Sequence, residues 1–269
     1  MKKSILYLIT FAAVQALVTL AAMVALRLWF PDVSAESPAA LIAISIATDI
    51  LLLAVFLGCK WYRANRDYIM SRPWAAMAWT ALLGIGIIFP LTLLEEQIPE
   101  SWRIDLVGDE LLEMLKTTEG YFAVCMLAPL TEEVAFRGAM ISALQKWAQG
   151  RPLSPAAKTW LPIVISALFF AGIHMNPAQM PHALIMGMLL GWLFTRTGSI
   201  LPCFLIHWIN NSAAFVAVKL FPNLPMNANL ADYFNGNTTA VWQAVICSLM
   251  IALPSLYQLN RILRRKNLS

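Results

Sequence analysis

Ala128-Pro-Leu-Thr-Glu-Glu-Val-Ala-Phe-Arg-Gly138 is the stretch that decides how this chain is read. It puts two acids and a guanidinium inside a segment that otherwise has the composition of a membrane span. Charge at bilayer depth costs about 3 kcal/mol or more per group on insertion scales, so an ionisable residue there marks function by default. Three charges in six residues need partners, and the chain is poor in them. Its three histidines, His174, His182 and His207, all lie in the apolar segments that follow.

The composition around that stretch agrees. Apolar residues make up 59% and charged residues 13% of the 269-residue chain, against roughly half and a quarter in soluble proteins. The mean hydropathy is +0.67. The expected fold class is therefore all-α, a polytopic helical bundle in a membrane. A formal net charge of +4 is too small to imply a nucleic-acid partner. Cys59, Cys125, Cys203 and Cys247 are scattered through apolar runs without a CxxC pair. They read as reduced, buried small hydrophobes. Met1-Lys-Lys followed by an apolar run to Phe30 is too long for a signal-peptide core and lacks a small-x-small cleavage site, so a retained first span is expected.

Spans of about 20 residues cross the hydrocarbon. The apolar runs predict eight, near 5–30, 38–59, 74–94, 120–145, 159–175, 178–195, 199–219 and 239–259. Lys2 and Lys3, Lys60 to Arg72, Lys146 to Lys158, Arg196, and Arg261 to Lys266 fall on one side of that arrangement. The alternate connections read as acidic or neutral. Positive residues stay inside, which puts both termini in the cytoplasm of an inner or plasma membrane. Asp109 to Lys116 alternates apolar and acidic residues at helical spacing and predicts a short interfacial helix covering the outer mouth. Gly187-Met-Leu-Leu-Gly191 is a GxxxG pattern that lets helices approach closely, read here as ordinary packing. Three regions follow: residues 1–118 with the first helices and the interfacial segment, 119–219 with the polar core, and 220–269 with a last helix and basic tail.

Residues four apart share a helix face, so Glu133 and Arg137 stack as an ion pair. Glu132 is turned about 100° away. One acid is thus neutralised structurally, and the other is left to act as a general base. Phe170 and His174 share a face on the fifth span, where the aromatic can wall the imidazole from lipid. On the seventh, His207 and Asn211 are again four apart and can both donate to one point, as an oxyanion requires. Glu132, His174, His207 and Asn211 together make a hydrolytic kit. The supporting residues are the Glu133–Arg137 pair, Phe170 and Asn176. Asp49 is a lone acid without an evident partner, and His182, near Pro181, reads as a mouth or packing residue.

In this order and spacing, Glu132-Glu-Val-Ala-Phe-Arg137 (EExxxR), Phe170-Ala-Gly-Ile-His174 (FxxxH) and His207-Trp-Ile-Asn-Asn211 (HxxxN) resemble the motifs of the CPBP intramembrane proteases, the CAAX protease and bacteriocin-processing or Abi family. The resemblance covers roughly residues 118–218. It implies an intramembrane endopeptidase, CAAX prenyl protease 2-like, acting on membrane-associated, lipidated or leader peptides. In relatives the substrate is a prenylated CAAX protein. By the same analogy Glu132 activates water, His174 assists, and His207 with Asn211 forms the oxyanion hole. No cofactor is favoured. The alternative is zinc held by Glu132, His174 and His207, weakened because HExxH is absent and Asn211 is a poor zinc ligand. Partners are then the lipid bilayer and a peptide substrate, with no nucleic acid and the oligomeric state left open. The competing readings are a proton-coupled transporter, against which stands the lack of repeated halves, and a non-catalytic scaffold or bacteriocin-immunity protein of the same fold.

Overall fold

The computed structural model describes residues 1–99, 102, 108–225 and 228–265, so the expected tail residue Lys266 lies outside them. Among the described residues every regular element is a helix. In chain order they are α1 (Lys2–Trp29), α2 (Pro38–Gly58), α3 (Arg66–Met70), α4 (Trp74–Gly86), α5 (Ile88–Glu96) and α6 (Gly108–Leu115). There follow α7 (118–149), α8 (Pro155–Ile173), α9 (Met180–Thr197), α10 (Leu201–Leu220), α11 (Leu230–Tyr233) and α12 (Thr238–Arg265). α6 is the expected amphipathic helix, with Asp109 and Glu110 in its first turn.

Among the described residues six segments are long and apolar enough to cross a membrane: α1, α2, α4 with α5, α8, α10 and α12. The chain is an integral membrane helical bundle. The other two expected spans, 120–145 and 178–195, are helices as well, α7 and α9, but they fall outside the six. α7 carries Glu132, Glu133 and Arg137 and ends in the polar run Ser142–Gln149. Its stretch Glu133–Ile141 is buried at every residue. The bundle thus surrounds its most charged helix with other helices, and the cost of charge against lipid does not arise.

α7 is the axis. α1, α2, α8, α9 and α10 pack on it, and α4, α5 and α12 form an outer layer against α9 and α10. α1 is largely peripheral, with Leu17, Leu20 and Leu28 exposed as a lipid-facing surface requires. The GxxxG pattern packs α9 on α8, the close approach expected of it. A Cβ at Gly187 would stand 3.0 Å from Ala167 Cα, and one at Gly191 2.9 Å from Ile163 Cγ2. The cysteines are free, but only Cys125 and Cys203 are buried. Cys59 and Cys247 lie on outward surfaces, where a small apolar thiol suits lipid as well as a core.

The two ends of the bundle are tied by polar contacts. At one end Asn65 Nδ2 donates to Thr197 O, joining the α2–α3 connection to the end of α9. At the other, Lys219 Nζ donates to Lys116 O, and the backbone N–H of Leu230 donates to Glu96. The first end carries most of the Lys and Arg. Arg27, Lys116 and Lys219 sit at the second, so the alternate connections are less free of positive charge than the sequence pattern implies.

Candidate active site

The site is built on an irregularity in α7. Residues Tyr121–Leu127 and Glu133–Ile141 are π-helical, with Ala128–Glu132 in ordinary α geometry between them. Such wide turns are rare and recur at functional sites. Pro129 explains where the first one stops. The N–H of Ala128 bonds the carbonyl of Ala123, five residues back. The next bond in that register would run from residue 129 to Val124 O, and proline has no N–H to give. Asn211 of α10 supplies the missing donor, its Nδ2 lying 3.0 Å from Val124 O. Cys125 Sγ in turn lies 3.3 Å from Asn211 O, so one turn of α7 grips one residue of α10. The second π-helical turn is braced from α8, where Ser166 Oγ donates to Phe136 O at 3.0 Å.

Asn211 therefore does a structural job that its spacing from His207 did not announce. One of its two amide protons is committed to Val124, and one remains.

The charged groups sit on the next turns. Arg137 Nη1 donates to Glu133 Oε1 at 2.9 Å, the expected i,i+4 pair, with both side chains fully buried. The same Glu133 oxygen lies 2.9 Å from His207 Nδ1. A carboxylate beside Arg137 can only accept, so Nδ1 carries the proton and Nε2 is the nitrogen left to face the reacting groups. Nε2 points to Glu132 Oε2 at 3.6 Å, beyond hydrogen-bond length but within ion-pair range. Glu133 is thus more than a counter-charge for Arg137. It fixes the tautomer and direction of His207, while the neighbouring Glu132 keeps a side-chain exposure of 20% in a bundle that buries Glu133 completely.

Phe170 is the hub of the aromatic half. The Arg137 guanidinium stacks 4.1 Å over its ring, and edge-to-face contacts join it to His174 at 4.9 Å and His207 at 5.7 Å between centroids. The cation–π contact matters because Arg137 Nε and Nη2 have no hydrogen-bond partner. Phe170 does wall a histidine, as the shared face predicts. The same ring touches His207 as well. His174 caps the end of α8 and lies 2.8 Å from Phe170 O through Nδ1, which leaves its Nε2 free. It makes no ion pair with Glu132; its charged surroundings are His182, Arg137 and Glu95.

Three further residues take positions that spacing alone did not give. Asn176 accepts from the Ala178 N–H at 3.0 Å, closing the turn between α8 and α9. His182 Nδ1 meets Glu95 Oε2 at 3.2 Å, joining α9 to the end of α5. Asp49 has partners after all: buried on α2, it faces Thr131 and lies within electrostatic reach of Glu132. An acid in the middle of an apolar span was the signal for it, but nothing in the order of residues says which helix it meets. Glu132, His174 and His207 do not gather into a group that could hold a metal ion, nor does any other such group among the described residues.

With this geometry in hand, comparison with known proteins supplies a family. Residues 116–213 match the family model described as type II CAAX prenyl endopeptidase Rce1-like. This chain carries an Rce1-like domain. It spans α7 to most of α10 and holds Glu132, Glu133, Arg137, Phe170, His174, His207 and Asn211, while Asp49 on α2 lies outside it. The Rce1-like family is one of proteases. No curated protein and no solved structure matched the chain.

Proposed function

We propose that this protein is an intramembrane endopeptidase in which Glu132 activates the water that attacks a peptide bond of a membrane-associated or lipid-anchored substrate. The observation that carries the reading is the chain Arg137–Glu133–His207–Glu132, laid across two helices inside an apolar bundle. Glu133 and Arg137 compensate one another and hold His207, so Glu132 is the carboxylate left to take a proton from water. His207 Nε2 accepts while unprotonated and donates to an oxyanion only when both nitrogens carry protons. The spare amide proton of Asn211 is the second donor. His174, across Phe170, serves the substrate side through its free Nε2. Asp49 joins this set as a third acid, a positioning residue within electrostatic reach of Glu132.

Similarity to the type II CAAX prenyl endopeptidases favours a substrate with a prenylated CAAX terminus. We read the chemistry as independent of metal: Glu132 and His207 meet, but with His174 they form no group that could hold a metal ion. Both termini are assigned to the cytoplasm on the concentration of Lys and Arg at one end of the bundle.

The test compares membrane and secreted peptides of cells carrying the intact protein or Glu132→Gln. Cleavage products should disappear in the variant at unchanged protein level. Products that persist with Glu132→Gln would remove Glu132 from the role of base.

A further inference from the structure

The end of the bundle away from His174 carries a second polar feature that the proteolytic reading does not use. A cavity of about 450 Å³ opens between the last segment of α7, the first turn of α8 and the last turn of α9. Gln145, Lys146 and Gln149 line it from α7, Lys158 and Thr159 from α8, and Thr195 from α9. No carboxylate among the described residues lines it. Among the described residues neither Lys146 nor Lys158 has an ion-pair partner.

Helix dipoles do not account for both lysines. Lys146 lies in the last turn of its helical segment, where a cation is favourable. Lys158 lies in the first turn of α8, where the partial charge is already positive, and it is half-buried. A cation kept at the unfavourable end, without a counter-charge, is explained by an anion that binds there.

The level of the cavity in the membrane says which anion. Trp147, next to Lys146 on α7, has the Arg151 guanidinium 5.6 Å from its ring. The exposed Trp160 follows Thr159 on α8. Tryptophan beside Lys and Arg is the composition of the membrane–water interface, the depth of lipid phosphates.

We infer that this groove binds a phosphate group, with Lys146 and Lys158 as its two ammonium ligands and Gln145, Gln149 and Thr159 as neutral donors, and that an anionic phospholipid headgroup supplies it. The site ties a lipid to the same three helices whose other turns hold Glu133, Phe170 and His182.

The experiment uses the full-length protein purified in a neutral detergent. Retention of phosphatidylglycerol, phosphatidic acid and phosphatidylcholine is read by native mass spectrometry, with thermal stability in parallel. The anionic lipids should be retained roughly 30-fold more tightly than phosphatidylcholine, about 1 kcal/mol for each lysine near the surface. Lys146→Gln/Lys158→Gln should erase that preference while leaving the lipid-free melting temperature unchanged. Stabilisation by inorganic phosphate alone, lost in the same variant, would keep the phosphate site and assign it to a soluble ligand. Equal retention of the three lipids with no effect of phosphate would overturn the inference. A preference that survives in the double variant would overturn it as well.

Discussion

Helical spacing gives Glu133 a partner only in Arg137, because it reveals only neighbours on the same helix. In the folded protein its oxygen is shared between Arg137 and His207, which is 74 residues away. Replacing it should therefore cost fold and function together. Glu133→Gln leaves a buried guanidinium without its counter-charge, a loss of about 3–5 kcal/mol, and reduced membrane level together with lost cleavage is expected on immunoblot and peptide assay. Normal abundance would show that the Phe170 ring alone is enough for Arg137. Asp49 makes the opposite prediction. Asp49→Asn keeps shape and removes charge, so kcat should fall about tenfold or more, roughly 1.4 kcal/mol of barrier, with KM and protein level unchanged. Loss of protein level instead would make Asp49 a structural residue of α2. Residue type and depth single out Glu132, His174 and His207 as candidates. That one ring, Phe170, touches both histidines is not legible there, because it depends on how α8 is rotated against α10.

At the scale of elements, the two π-helical turns of α7 are what sequence patterning missed. An α-helical reading places Glu132 and Glu133 correctly to within a turn, yet it assigns Asn211 only to an oxyanion. Pro129 was the available signal. A proline in mid-helix removes one N–H, so some carbonyl must find another donor. Asn211→Ala should leave Val124 O buried and unpaired, costing about 1–3 kcal/mol of stability. Pro129→Ala returns an N–H at the position that Val124 O requires. The double variant should therefore recover thermal stability in detergent while cleavage stays lost. If stability is not recovered, Val124 is not the reason Asn211 is needed for the fold. The α8–α9 pair offers a simpler test. Gly187→Leu forces a side chain against the Ala167 backbone, and a loss of about 1–3 kcal/mol is expected on thermal unfolding.

For the molecule as a whole, the bundle resolves a conflict that hydropathy alone leaves standing. A helix with three ionisable residues at its middle makes a poor lipid-facing span, and here it is enclosed rather than exposed. Inside the bundle Glu132 of α7 meets His207 of α10, but with His174 of α8 they form no group that could hold a metal ion. Cleavage by purified protein is expected to persist after exhaustive chelation, with no zinc found by elemental analysis; activity lost on chelation and restored by zinc would overturn the metal-independent reading. Reporter tags at residues 1 and 269 should both be shielded from protease in sealed, right-side-out cells. Digestion of either tag would reverse the assignment made from the Lys and Arg distribution.

Composition and hydropathy were sufficient to determine an all-helical membrane bundle, and three short motifs on three helices were sufficient to single out the candidate residues. Both are local properties, set by residue type and by spacing within a turn or two. Tertiary packing alone decided that α7 is the enclosed axis, that Glu133 orients His207, that Asn211 repairs the bond Pro129 cannot make, and that Asp49, outside the matched segment, comes within reach of Glu132. Each of those depends on the rotation and depth of one helix against another. That is settled by the fit of side chains such as Phe170 and Ile163 over the whole interface, and no spacing within a single helix records it.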